Sequence, residues 1–185
     1  MALKKVGASP LGAHLVVKRG ARCVLALHGF HVDDWFYQLT NADGQPVTGK
    51  LEVVKGRIHS ITGIAACPYL EELLLAHCRV LHDFSALVVL RSLRTLEISS
   101  CKKLQQLDEI ALLDRLETLV IDDVGTIESL RPLMVSRSLK WLYFRGDVSV
   151  TDGDTAVVQK LGLKDYAFQN RRHYNFTYDH LVRVP

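Results

Sequence analysis

The chain has 185 residues, 48% of them hydrophobic, and a formal net charge of only +3. That length and apolar share suit one ordinary globular domain able to bury a core without disulfides or metal, and they argue against disorder. No apolar run approaches the length of a membrane-spanning helix, because "CVLALHGF" stops at His28-Gly29 and "LLLAHC" at His77.

The first 32 residues carry Lys4, Lys5, Lys18, Arg19 and Arg22 and no acid. A transit peptide would have this charge, but Gly7, Pro10, Gly12 and Gly20 interrupt an amphipathic helix, so a capping segment and a cytoplasmic location are expected. Charge is divided along the chain, with basic ends around a mildly acidic middle from Asp33 to Gln159. Cys23, Cys67, Cys78 and Cys101 form no CxxC pair and read as reduced, buried thiols.

"VLALHGF" (Val24 to Phe30), with "HVDDWFYQL" behind it, looks like the opening of an α/β-hydrolase. Such an enzyme needs a G-x-S-x-G elbow on a strand-to-helix turn, and the chain has none. The segment therefore reads as a cap strand with His28-Gly29 at its exit turn. His31, Asp33 and Asp34 are too few and too polar in setting to imply a metal, and read as a solvated turn. "YQLTNADGQPVTGKLEVV" reads as a hairpin turning at Asp43-Gly44.

From here a fixed interval takes over. "LEELLLAHCRVLHDFSALVVLRS" (Leu70 to Ser92), "LRTLEISSCKKLQQLDEIALLDR" (Leu93 to Arg115) and "LETLVIDDVGTIESLRPLMVSRS" (Leu116 to Ser138) align without a gap. Leu73, Leu96, Leu119 and Leu142 form one apolar column, and Leu75, Ile98, Ile121 and Phe144 another. Ile58, Ile61, Ile64 and Cys67 carry the pattern back one unit. In LxxLxL, the second and third apolar residues share one face of a short strand. The later apolar residues, spaced by three, suit a helical or 3-10 return packed over that strand. A single unit cannot bury its own apolar face, so units must stack and the ends must be capped.

The pattern LxxLxLxxCxxLxxLxxLxxLxx resembles the leucine-rich repeat family over roughly Val47 to Asp147, with Val124 and Asp147 departing from Cys at the ladder position. The resemblance implies an α/β solenoid with short parallel strands on a concave face and helical or 3-10 returns on the convex face. A β-rich N-terminal cap (residues 1–46), repeats (47–147) and a C-terminal cap (148–185) then make up one domain. Cys78 and Cys101 would fill the turn leaving each strand. "TDGD" (Thr151 to Asp154) lacks the later Glu of a calcium loop and reads as a turn. In the tail, Arg171, Arg172, Tyr174 and Phe176 could stack on single-stranded nucleic acid, but read better as rings shielding the last unit while the cations stay wet.

No catalytic, cofactor or metal constellation emerges, so function falls to the exposed positions of the strand face. Read at the 23-residue interval, these are Glu72, Thr95, Thr118 and Trp141; Leu74, Glu97, Val120 and Tyr143; and Asp122, Asp123 and Arg145. Glu97, Asp122 and Asp123 make an acidic patch beside two large aromatics, residue types that carry interface energy. The expected function is a non-enzymatic module that binds a protein partner with a basic patch, with no small-molecule substrate. A stoichiometric inhibitor such as a toxin-neutralising immunity protein is its sharper form. An adaptor, or nucleic-acid binding through the basic termini, is the alternative.

Overall fold

The computed structural model describes residues 23–28 and 49–179. Seven parallel strands form one sheet in chain order: β1 (Cys23–His28), β2 (Gly49–Val54), β3 (Leu70–Ala76), β4 (Thr95–Ser99), β5 (Thr118–Asp122), β7 (Trp141–Arg145) and β9 (Asp165–Ala167). Leu73 pairs with Leu96, Leu96 with Leu119 and Leu119 with Leu142, so each strand repeats its predecessor one unit later. The alternation predicted from LxxLxL holds: Leu96 and Ile98 on β4 are buried, whereas Thr95, Glu97 and Ser99 are half-buried on the other face.

The spacing of three in the second half of each unit becomes 3-10 geometry, which returns every third residue to the same edge. Ile64 N–H donates to the Ile61 carbonyl (2.8 Å) and Cys67 N–H to Ile64 (2.8 Å); Leu87 donates to Phe84 and Leu90 to Leu87 at 2.9 Å each. The 3-10 turns Thr62–Ala66, Ser85–Val89 and Arg131–Val135, and the single-turn helix α1 (Asp108–Ala111), occupy equivalent places. Ile58, Leu81, Leu104, Ile127 and Val150 are all buried one unit apart, and with the strand leucines they form one continuous core.

β2, β3, β4, β5 and β7 each leave the sheet through a residue in the left-handed region: Lys55 (φ 57°), His77 (56°), Ser100 (52°), Asp123 (50°) and Gly146 (57°). The backbone is held there because each N–H reaches a carbonyl of the next strand: Lys55 to Ala76 (2.8 Å), His77 to Ser99 (2.8 Å), Ser100 to Asp122 (2.9 Å) and Asp123 to Arg145 (3.1 Å). The sheet ladder thus continues through the turn. Beside this column, the Cys78 thiol lies 3.8 Å from the Val53 carbonyl, and that of Cys101 lies 3.6 Å from the Leu75 carbonyl. Both sulfurs are weak donors that occupy carbonyls of the preceding unit. Contact with Cys78, together with burial, pushes the Cys101 thiol far above the ordinary range, consistent with structural filler.

The hairpin expected over Tyr37 to Val54 requires correction. β2 has parallel β1 on one edge and parallel β3 on the other, and a strand has only two edges, so no antiparallel partner can pair with it. Tyr37 to Thr48, like Met1 to Arg22, Gly29 and the His31, Asp33 and Asp34 turn, lie outside the described residues. A second, two-stranded parallel sheet joins β6 (Gly125–Ile127) to β8 (Val148–Val150). The chain then passes through α2 (Val157–Lys160) to β9, which pairs with β7, so the strand succession continues into the segment expected to be only cap.

Between Tyr166 and Tyr178 the aromatic side chains gather on the core. Phe168 is buried, and Tyr166, Tyr174, Phe176 and Tyr178 pack on the core around it with ring centroids mostly about 6 Å apart. The Tyr174 hydroxyl accepts the Val150 N–H (2.9 Å), and the Thr155 hydroxyl donates to the Phe176 carbonyl (2.6 Å). Thr151 to Asp154 form a turn in which the Asp152 carboxylate accepts the Asp154 N–H (3.0 Å).

Candidate functional site

The outward positions of β2 to β9 lie side by side on one face of the sheet. Register pairs Glu72 with Thr95, Thr95 with Thr118 and Thr118 with Trp141 in one row, and Leu74 with Glu97, Glu97 with Val120 and Val120 with Tyr143 in the next. Asp122 pairs with Arg145 in a third row. The expected residues are therefore brought together, with two changes. Val120 is buried (7% exposed) between longer neighbours and forms floor rather than contact surface. Asp123 sits in the left-handed exit turn, not on the strand.

The face extends further at both ends than the 23-residue interval suggests. Lys50 pairs with Glu72 and Glu52 with Leu74, which places β2 in the same rows. Lys50 Nζ lies 2.7 Å from Glu52. That hydrogen bond, with the nearby charges of Glu52, Glu72 and Glu97, holds the Lys50 ammonium above its ordinary pKa. Three glutamates around one lysine leave this end of the face net negative. Asp122 accepts from the Ser99 hydroxyl at 3.3 Å. Asp123 is engaged by Lys102 (2.8 Å) and Ser100 (3.2 Å), and Lys102 above all lowers its pKa. Glu97 and Asp122 are thus half-buried acids of this face, besides the Glu52 and Glu72 that surround Lys50.

At the other end, the aromatics are framed by the added strand. The Tyr143 hydroxyl donates to Asp165 at 2.9 Å; burial, and then this bond, push its phenol above the ordinary range. Lys164 and Lys140 lie 5.4 Å and 5.9 Å from the centre of the Trp141 ring, and Arg145 lies 5.8 Å from that of Tyr143, all within cation–π range. Both rings remain half-buried, edged by β9 but not covered by it. Lys50, Glu52 and Asp165 were missed by sequence reading because they fall one residue off the repeat interval.

Of the tail residues that could stack on nucleic acid, Tyr174 and Phe176 pack on the core, Arg171 pairs with Asp147 at 3.1 Å and Arg172 is exposed. Among the described residues, no three His, Cys, Asp or Glu side chains gather where they could hold a metal ion, and no helix is long and apolar enough to cross a membrane.

A parallel sheet with one strand per repeat, 3-10 returns and a half-exposed strand face defines a leucine-rich repeat solenoid. Among solved structures, internalin C2 of Listeria monocytogenes strain 4b F2365 is similar at 20% identity, covering 68% of this chain and 62% of its own, with a TM-score of 0.44. An internalin (inlF) of the same strain is similar at 21% identity over 63% of this chain and 40% of its own, with a TM-score of 0.47. This chain therefore spans less than two thirds of either. No protein-family model and no curated protein matches it.

Proposed function

We propose that this chain is a non-enzymatic protein-binding module whose strand face, from Lys50 to Asp165, receives a protein partner carrying a basic patch. The observation that carries the reading is the composition of that face. Half-buried Trp141 and Tyr143 stand in the same rows as Glu72, Glu97 and Leu74 on a rigid sheet. Aromatic anchors beside a net-negative cluster of carboxylates combine contact energy with steering. The sharper form is a stoichiometric inhibitor, such as a toxin-neutralising immunity protein, acting in the cytoplasm; buried free thiols at Cys67, Cys78 and Cys101 suit a reducing setting.

The test starts with affinity capture from the host using the wild-type chain, followed by titration of the captured protein against two variants. Glu97→Lys with Asp122→Lys should slow association and abolish most binding, while Trp141→Ala should weaken it by about 2 kcal/mol, roughly thirtyfold. Melting temperatures should stay near wild type. Unchanged affinity in both variants would remove the site from the strand face.

A further inference from the structure

The turns that leave β2 and β3 enclose a groove of about 980 Å³ lined by Lys55, Arg57, His59, His77, Arg79 and Val80, with Gly56 at its base. No acid lines it. Lys55, Arg57 and Arg79 are exposed, and none makes an ion pair with another described residue. The backbone does not account for these cations, since the N–H groups of Lys55 and His77 are already spent on the carbonyls of Ala76 and Ser99.

The next turn along shows what this column can hold. Arg57 and Arg79 each stand two residues beyond the left-handed residue of their turn, Lys55 and His77. The equivalent of the third turn is Lys102, two beyond Ser100, and its ammonium meets the Asp123 carboxylate at 2.8 Å. One cation of the column is thus neutralised by the next turn, whereas the two arginines before it meet no carboxylate among the described residues. Guanidinium groups on neighbouring turns, with strands spaced about 4.8 Å apart, suit forked hydrogen bonding to successive carboxylates. Among the described residues, no Phe, Tyr or Trp lines the groove to stack on a base, and Val80 offers an aliphatic contact instead.

We propose that this groove is a second docking surface, which takes a carboxylate-rich segment of a protein partner. It lies on the exit turns and not on the strand face, so it stands independently of the face's own ligand. If both surfaces bind, the two docking sites required of an adaptor are present on one chain.

Fluorescence anisotropy with a labelled oligoglutamate peptide tests this on the full chain, with an oligo-dT strand as the comparison arm. The wild type should bind oligoglutamate with an affinity that falls as salt rises. Arg57→Glu with Arg79→Glu should weaken it at least about tenfold at an unchanged melting temperature, and Glu97→Lys should not weaken it. If the double reversal disturbs folding, Arg57→Gln with Arg79→Gln should show the same loss in a smaller measure. Failure of the wild type to bind the peptide, or equal binding by a folded double variant, would overturn the proposal. Tighter binding of oligo-dT with the same dependence on Arg57 and Arg79 would overturn it in favour of nucleic acid.

Discussion

Replacing Leu96 with Ala tests whether the repeat register is the source of stability. Leu96 is fully buried on β4, between Leu73 of β3 and Leu119 of β5, so the missing methyl groups leave a gap shared by three units. Large-to-small changes at such sites cost about 2–5 kcal/mol, and a position held by parallel strands on both sides has little room to collapse, which favours the upper half of that range. For a domain of this size each kcal/mol moves the midpoint by about 2–4 °C, so a drop of roughly 7–20 °C is expected. Glu97, the next residue, points to the other face, and Glu97→Ala should fall within about 0.5 kcal/mol of wild type. Circular dichroism melts with urea titrations measure both. Equal melting of Leu96→Ala and wild type, or a larger loss from Glu97→Ala, would refute the register.

Deleting Tyr166 to Pro185 removes most of β9 and the aromatic cover, and should convert a monomer into aggregates on size-exclusion chromatography. Gly153 and Gly162 both have positive φ, but a Cβ at Gly153 would lie 2.3 Å from the His173 carbonyl oxygen, while at Gly162 nothing lies within 4 Å. Gly162→Ala should therefore cost about 1 kcal/mol and Gly153→Ala clearly more, read from paired melts. The Asn175 amide at 2.8 Å, and then Arg131, hold the Asp154 carboxyl below the usual range. A carboxyl depressed by folding adds stability above its unfolded value, and that stability is lost as pH falls through the folded value. Melting midpoints should thus fall below about pH 4, and less steeply in Asp154→Asn.

The sequence made the middle of the molecule legible because a period of 23 combines two local geometries that each leave a mark. Alternation in LxxLxL marks the strand, and spacing by three marks the 3-10 return, so Leu96, Ile98, Leu104 and Leu107 were placed before any coordinates. The ends were obscured by single-residue changes in the interval. From β2 to β3 the step is 22, pairing Leu51 with Leu73; from β7 to β9 it is 24, pairing Leu142 with Tyr166. A reading fixed at 23 puts apolar Leu51 opposite Leu74 and so hides Lys50 and Glu52. The exit turns were hidden for another reason. Left-handed backbone at Lys55, His77, Ser100 and Asp123 is imposed by hydrogen bonds to the next strand, and only Gly146 announces it by residue type.

Arg91 with Asp114, Arg94 with Glu117, and Arg131 with Asp154 are ion pairs at 3.0 Å between residues one unit apart. Exposed pairs of this kind are worth about 0–1 kcal/mol each, too little to decide stability beside a buried leucine. Their effect falls on register, since a strand slipped by one residue would turn its leucines outward and separate every pair at once. Lys140, by contrast, serves two neighbours, reaching Glu117 at 3.2 Å and lying over the Trp141 ring. Among the described residues, the Glu97 carboxylate and the arginines at positions 57 and 79 make no ion pair of this kind. Because the core already fixes the register, these positions can change sign at little cost in stability. Recognition can therefore vary on the strand face and exit turns while the leucine columns stay the same.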